Sequence, residues 1–229
     1  MVSHLSEIMG LSLAQTNEML LAAGFAPKFG RGNLGDRALA MGSRAVDVML
    51  AAMQSYPAFA IDLEGNVLRH NAAASPFMQM SRSLGEPVNL LLSTLHPEGW
   101  RGLVTNLDEI APCLLRRYFS ERVLGVSQAP NVWSQVMGLP GVRDWMTRAR
   151  THVVTDVVIT LDVRIHGESV RWLSMTTALG TPQDLNLQDL RIECLVPADR
   201  ASAAAWERLS ASLLPRERPA PKRAQLDDE

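Results

Sequence analysis

The sequence predicts an α+β protein: an antiparallel sheet flanked by helices and preceded by a small helical segment. Three observations predict it. Ile159, Leu161, Val163 and Ile165 alternate with Thr160, Asp162, Arg164 and His166, the two-residue period of a half-buried strand. A second such run, Val170 to Thr177, follows across Gly167, so the pair reads as a hairpin. Segments on either side are spaced instead as helices, with apolar residues three and four apart.

Residues 1 to 9 read as a helix stopped by Gly10. Ser12 and Gln15 have capping-box spacing for a second helix from Leu13 to Ala23, Gly24 stands at its C′ position, and Phe25 is expected to dock back. Two such helices bury too little surface to fold alone. A glycine-rich stretch from Phe29 to Asp36 leads to a helix from Asp36 to about Met53, striped by Leu39, Val46, Met49, Leu50 and Met53. Ala58 to Asp62 and Val67 to Asn71 then flank Leu63-Glu64-Gly65-Asn66 as a hairpin, and Asn71-Ala72-Ala73 opens a short helix. Strand, tight turn, strand and short helix is how a PAS-type sensor domain begins.

Pro87 to Asn106 combines an apolar run with His96-Pro97-Glu98-Gly99, a turn. Leu107, Ile110, Leu114, Leu115, Tyr118 and Phe119 share one helical face, with Asn106 and Glu109 spaced as a capping box and Pro112 either kinking the helix or restarting it. Further helices are expected around Val132 to Met137 and Arg143 to Arg150, a final strand from Arg191 to Val196, and a last helix from Arg200 to Leu213. The proline-rich, charged tail from Pro215 is expected to be disordered.

With Gly167-Glu168 as the central turn, Ile165 faces Val170, Val163 faces Trp172, Leu161 faces Ser174 and Ile159 faces Thr176. That register sets Arg164 opposite Arg171, a like-charge pair that Asp162 can relieve. Ser174 and Thr176 are small and polar on an otherwise apolar face. Either they leave a cavity with two hydroxyls, or they hydrogen-bond to backbone or to a helix above. If the Leu114, Leu115, Tyr118 and Phe119 helix roofs this face, the candidate ligand contacts are Leu161, Val163, Trp172, Ser174 and Thr176, with Asn89, His96 and Arg117 as polar candidates. Each has a structural alternative: core for Leu161 and Trp172, turn or cap for His96 and Asn89, a solvated helix face for Arg117. A guanidinium there would suit a ligand carboxylate.

Composition narrows the function. The 229 residues are 47% hydrophobic and 20% charged, an ordinary globular balance, and a formal net charge of −2 gives no electrostatic case for gripping nucleic acid unaided. No apolar run approaches the length of a membrane span and no signal-peptide pattern is present, so the cytoplasm is expected. Cys113 and Cys194 lack CxxC spacing, and His4, His70, His96, His152 and His166 lack HExxH spacing, so neither metal nor cofactor is expected. His96, Asp108 and Cys113 form no catalytic constellation, and the protein is expected not to be an enzyme.

Six motifs occur in order: TNEMLLAAGFAP from Thr16, YPAFAID from Tyr56, PVNLLLSTLHPEGW from Pro87, LLRR from Leu114, LGTPQDLNLQDLRIE from Leu179 and VPAD from Val196. Together they resemble the ligand-binding half of MmyB-like, XRE-type bacterial transcription regulators, over roughly Met1 to Ala205. The resemblance implies a helix-turn-helix DNA-binding domain followed by a PAS-like domain whose ligands are lipophilic small molecules such as long-chain fatty acids. Residues 1–30 would then be the end of the helix-turn-helix module, 31–55 a linker helix, 56–205 the PAS-like ligand-binding domain and 215–229 a disordered tail. Met1 to Ala23 match only the last helices of that module, so DNA is expected as a partner only through a complete helix-turn-helix not present in this chain. Where the family has Asn-x-x-Arg, this sequence has Asn89 followed by Leu92, which shifts the expected ligand from a clamped carboxylate to a neutral or weakly polar head. A homodimer is expected, through Leu173, Met175 and the Asp36 to Met53 helix, because two-fold partners suit operators with two half-sites. The alternative is a protein-interaction module, lacking DNA binding, that modulates full-length regulators.

Overall fold

The computed structural model describes residues 1–29, 37–123, 130–151, 159–178 and 189–213. The expected tail at 215–229, and most of the glycine-rich stretch before residue 37, lie outside these. At the N-terminus, α1 (Val2–Ile8) packs on α2 (Leu13–Ala22). The Ser12–Gln15 capping box is formed in both directions. At the other end Gly24, with φ of +79°, donates to the Leu21 carbonyl and Phe25 to that of Leu20, the Schellman pattern. Phe25 does not dock; it is exposed, and the contact back to α2 is made instead by Lys28 and Phe29, whose amides both donate to the Asn17 side chain.

The sheet comprises β1 (Ala58–Ile61), β2 (Val67–His70), β3 (Ile159–Ile165), β4 (Glu168–Ala178) and β5 (Arg191–Pro197). Its order is β2-β1-β5-β4-β3 and every pairing is antiparallel. Helices α4 (Ser75–Ser81), α5 (Leu90–Leu95), α6 (Leu107–Val123), α7 (Pro130–Gly138) and α8 (Val142–Thr151) lie between β2 and β3, and α9 (Arg200–Leu213) follows β5. This is the α+β architecture, an antiparallel sheet flanked by helices, that the hairpin and the flanking helical spacings predict.

Strand alternation splits the sheet into two unequal faces. Phe59, Ile61, Leu161, Val163, Ile165, Val170, Trp172 and Leu195 enter the main core beneath the helices. Trp206 of α9 stands edge-on to Trp172 with ring centroids 5.1 Å apart, and its Nε1–H donates to the Ser55 carbonyl at 2.8 Å. On the other face Ala58, Ala60, Ile192 and Cys194 form a smaller cluster with Val46 and Leu50 of α3 (Arg37–Ala52). Asn71 fixes α3 to the sheet: its Nδ2 donates to the Met53 and Tyr56 carbonyls, and its Oδ1 accepts from the Ala58 and Ala74 amides.

The β3–β4 hairpin differs from the expected register by two residues. Ile165 faces Glu168, Val163 faces Val170, Leu161 faces Trp172 and Ile159 faces Ser174. The central pair is His166-Gly167, both with positive φ (49° and 85°), the type I′ geometry that follows strand twist best. A shift of two preserves parity, so every side chain keeps its expected face. It also removes the like-charge pair: Arg171 lies opposite Asp162 and holds its carboxylate with two bonds, at 2.7 and 2.8 Å.

Asn106 does not cap α6 through its side chain. Its Oδ1 accepts from the Asp162 amide and its Nδ2 donates to the Thr160 carbonyl. With Leu103 and Thr105 exchanging backbone bonds with Arg164 and Asp162, this segment covers the outer edge of β3, which would otherwise offer unpaired amides to another strand. Pro112 neither restarts nor ends α6, which runs through it.

Candidate functional site

A cavity of about 50 Å³ lies between α6 and the main face of the sheet. Ile110, Leu114, Arg117 and Tyr118 of α6 roof it, a 3.6-residue stripe. Phe59, Leu195, Ile159 and Leu161 form its floor, and Leu90, Leu91, Thr94 and Trp100 its side. Among the described residues, Arg117 and Glu193 are the charged ones lining it, and Ser174 adds a hydroxyl.

The polar end is built by register. Thr176 lies directly opposite Glu193 across the β4–β5 pair and Ser174 lies on the diagonal, so both hydroxyls reach the same carboxylate. Thr176 donates to Oε2 at 2.9 Å and Ser174 makes a short bond to Oε1. Arg117 comes down from α6 and donates to Oε2 at 2.9 Å. The side chains are 22% and 10% exposed, so the pair sits where water screens it little. Cys194, next along β5, faces the α3 side instead. Burial, and then the Glu193 charge, push its thiol up from the ordinary value.

The structure therefore gathers Leu161, Ser174 and Arg117 around one space. Thr176 contributes through its bond to Glu193 and is not part of the lining. Val163 and Trp172 are buried in the core and do not line the cavity, Trp172 packing against Trp206. Asn89 begins α5, accepting from the Leu92 amide and donating to the Glu64 carbonyl and the Asn66 side chain. His96 ends α5 and accepts from the Glu98 amide. Both side chains are thus engaged in holding α5 and its neighbouring turns. Leu115 and Phe119 of the expected roof do not line the cavity. Leu92, where the resemblance implies an arginine, is buried in the core and does not line it either. Glu193 was not anticipated, although it is the lone acid in Arg191–Val196 and shares strand parity with core-facing Leu195.

Among the described residues no group of His, Cys, Asp and Glu could hold a metal ion, and no helix is long and apolar enough to cross a membrane. The sheet and its helical roof define an α+β domain with a cavity between its two layers. Residues 43–209, well over half of the chain, match the model of the MmyB-like transcription regulator ligand binding domain, and the chain belongs to that family. Among solved structures, the PAS domain of BvgS from Bordetella pertussis is similar over 75% of this chain and 99% of that one, at 16% identity and a TM-score of 0.29. No curated protein matches the chain.

Proposed function

We propose that this chain is the sensory part of a bacterial, cytoplasmic transcription regulator. It takes a lipophilic, fatty-acid-like small molecule, with an apolar body and one polar end, into the space beneath α6 and passes its occupancy to a helix-turn-helix DNA-binding module. In this reading residues 1–30 are assigned to that module, 31–55 to the linker that contains α3, and 56–205 to the sensor. The observation that carries the reading is an apolar cavity with a paired polar end, the plan of a small-molecule site, in a member of a ligand-binding family.

Size supplies the switch. Sites for drug-sized ligands hold roughly 300–1,000 Å³, and the cavity holds about 50 Å³. An occupant of fatty-acid length therefore has to part α6 from the sheet, giving two conformations of different ligand affinity, which is what coupling requires. The readout is α3. Val46 and Leu50 press on Ala58, Ala60, Ile192 and Cys194, which alternate with the cavity-lining Phe59, Glu193 and Leu195 on the same two strands. One strand thickness separates ligand from linker.

Straight-chain alcohols and acids of increasing length test this in a chain carrying the complete helix-turn-helix. Binding by at least one series should raise Tm and change operator affinity, and Ser174→Leu should abolish both effects with the fold intact. Absence of any Tm shift, or operator affinity indifferent to a tight ligand, overturns the sensory reading. The alternative is an interaction module that pairs with full-length regulators. It draws on Met175, Met41 and Val48, which lie exposed on the α3 side of the molecule. Sedimentation decides the homodimer common to both readings: a clean monomer at micromolar concentration counts against it.

A further inference from the structure

We infer that the cavity accepts a ligand whose polar end donates a hydrogen bond, an alcohol or amide N–H, and discriminates against a free carboxylate, with Glu193 as the specificity-determining residue. The inference rests on reading this cavity as the ligand site. Glu193 lines the space with its carboxylate already placed: Ser174 donates to Oε1, and Thr176 and Arg117 donate to Oε2. A carboxylate has about four acceptor positions, two on each oxygen. Three protein donors therefore leave one position, on Oε1, for a donor arriving in the cavity. Oε1 is held by the Ser174 hydroxyl on the cavity wall, so the remaining position belongs to the lined end of the site.

Charge points the same way. Arg117 is the cation of the lining, and it is already matched by Glu193 at 2.9 Å. A ligand carboxylate entering beside this pair would bring a second anion against Glu193 without a second cation among the described residues of the lining. Two carboxylates in one poorly screened site disfavour each other. An alcohol or amide meets no such repulsion and gains the open acceptor.

Four molecules of matched length test the inference on the full chain: octanol, octanamide, methyl octyl ether and octanoate, with dissociation constants measured by calorimetry at neutral pH. Octanol and octanamide should bind about tenfold tighter than octanoate, with the ether, which has no donor, weaker than the alcohol. Glu193→Gln supplies an amide N–H where the Glu193 carboxylate stood. It should narrow the octanol-to-octanoate ratio to within about threefold, chiefly by a gain for octanoate. Octanoate equal to or tighter than octanol in the native protein, or an ether equal to the alcohol, overturns the inference and leaves the ligand-site reading standing. If none of the four binds, the ligand-site reading falls and the head-group inference falls with it. Should Glu193→Gln fail to fold, the ranking in the native protein decides alone.

Discussion

Tyr118 closes over Gly65 so tightly that a β-carbon built on the glycine would stand 2.7 Å from the phenol ring. Gly65 also has φ of +83°, so the β1–β2 turn needs glycine for its conformation and again for this approach. Gly65→Ala should cost about 2 to 4 kcal/mol, the sum of left-handed strain and overpacking. Tyr118→Leu in the same chain should return the overpacking part but not the strain, as urea unfolding of the two single variants and the double variant would show.

Arg117 and Glu193 join α6 to β5. Arg117→Met should destabilise by about 2 kcal/mol, because it withdraws a charged donor from a nearly buried carboxylate that keeps only two hydroxyls. Pairing it with Glu193→Gln should recover most of that loss. A double-mutant cycle in urea checks this, and additive losses would mean the pair is not coupled.

Asn71 connects the end of α3 with β1 and the turn before α4 through four short bonds. Asn71→Ala should cost about 3 kcal/mol, because the Tyr56 carbonyl and the Ala58 amide lose their side-chain partner while the Met53 carbonyl and the Ala74 amide each lose one of two. Asn71→Asp keeps the acceptor and loses the donors, and should fall between the two. Hydrogen exchange should report the loss first at the Ala58 and Ala74 amides.

His166 is the non-glycine residue held at positive φ among the described residues. Asparagine tolerates that region better, so His166→Asn should stabilise the hairpin by about 0.5 kcal/mol. A fall in Tm would mean the imidazole makes a contribution the backbone does not show.

Acid should loosen α9 first. Backbone and side-chain bonds from Ser202 hold the Asp199 carboxyl below its usual range, and the bond from Arg208 does the same for Glu168, whose strand α9 covers. A carboxyl whose folded pKa is depressed adds stability that is complete above its unfolded value, about 4, and is lost as pH falls through the folded value. Unfolding followed from pH 7 down to about pH 3 should therefore show stability falling from near pH 4. Asp199→Asn, which still caps the helix, should flatten that fall while leaving neutral stability nearly unchanged.

The two sheet faces were legible because parity survives a register slip of two. The slip itself was not. Read as Gly-X, the turn centres on Glu168, whereas the chain tolerates a left-handed His166 and centres one residue earlier. Arg117 could be placed near the cavity only weakly, since one face drawn through Leu114 and Leu115 leaves it out while one drawn through Leu114 and Tyr118 includes it. Strand parity with Leu195 marks Glu193 as inward-facing, but its partners lay beyond sequence reasoning, because they come from Ser174 and Thr176 on another strand and from Arg117, 76 positions earlier. Long-range pairing of that kind leaves no local pattern. Asn106 shows the converse: its spacing to Glu109 was that of a cap, and the exposed edge of β3 claimed the amide instead.

The indole of Trp206 reaches back 151 positions to the Ser55 carbonyl. The path into the sheet and the path out of it are thereby stapled at one point, so the unit behaves mechanically as a closed loop with neighbouring leads. Such a unit can be spliced whole into a surface turn of an unrelated carrier without prising the host apart. Any motion that α6 makes over the sheet would then reach the host as a twist at a single short seam.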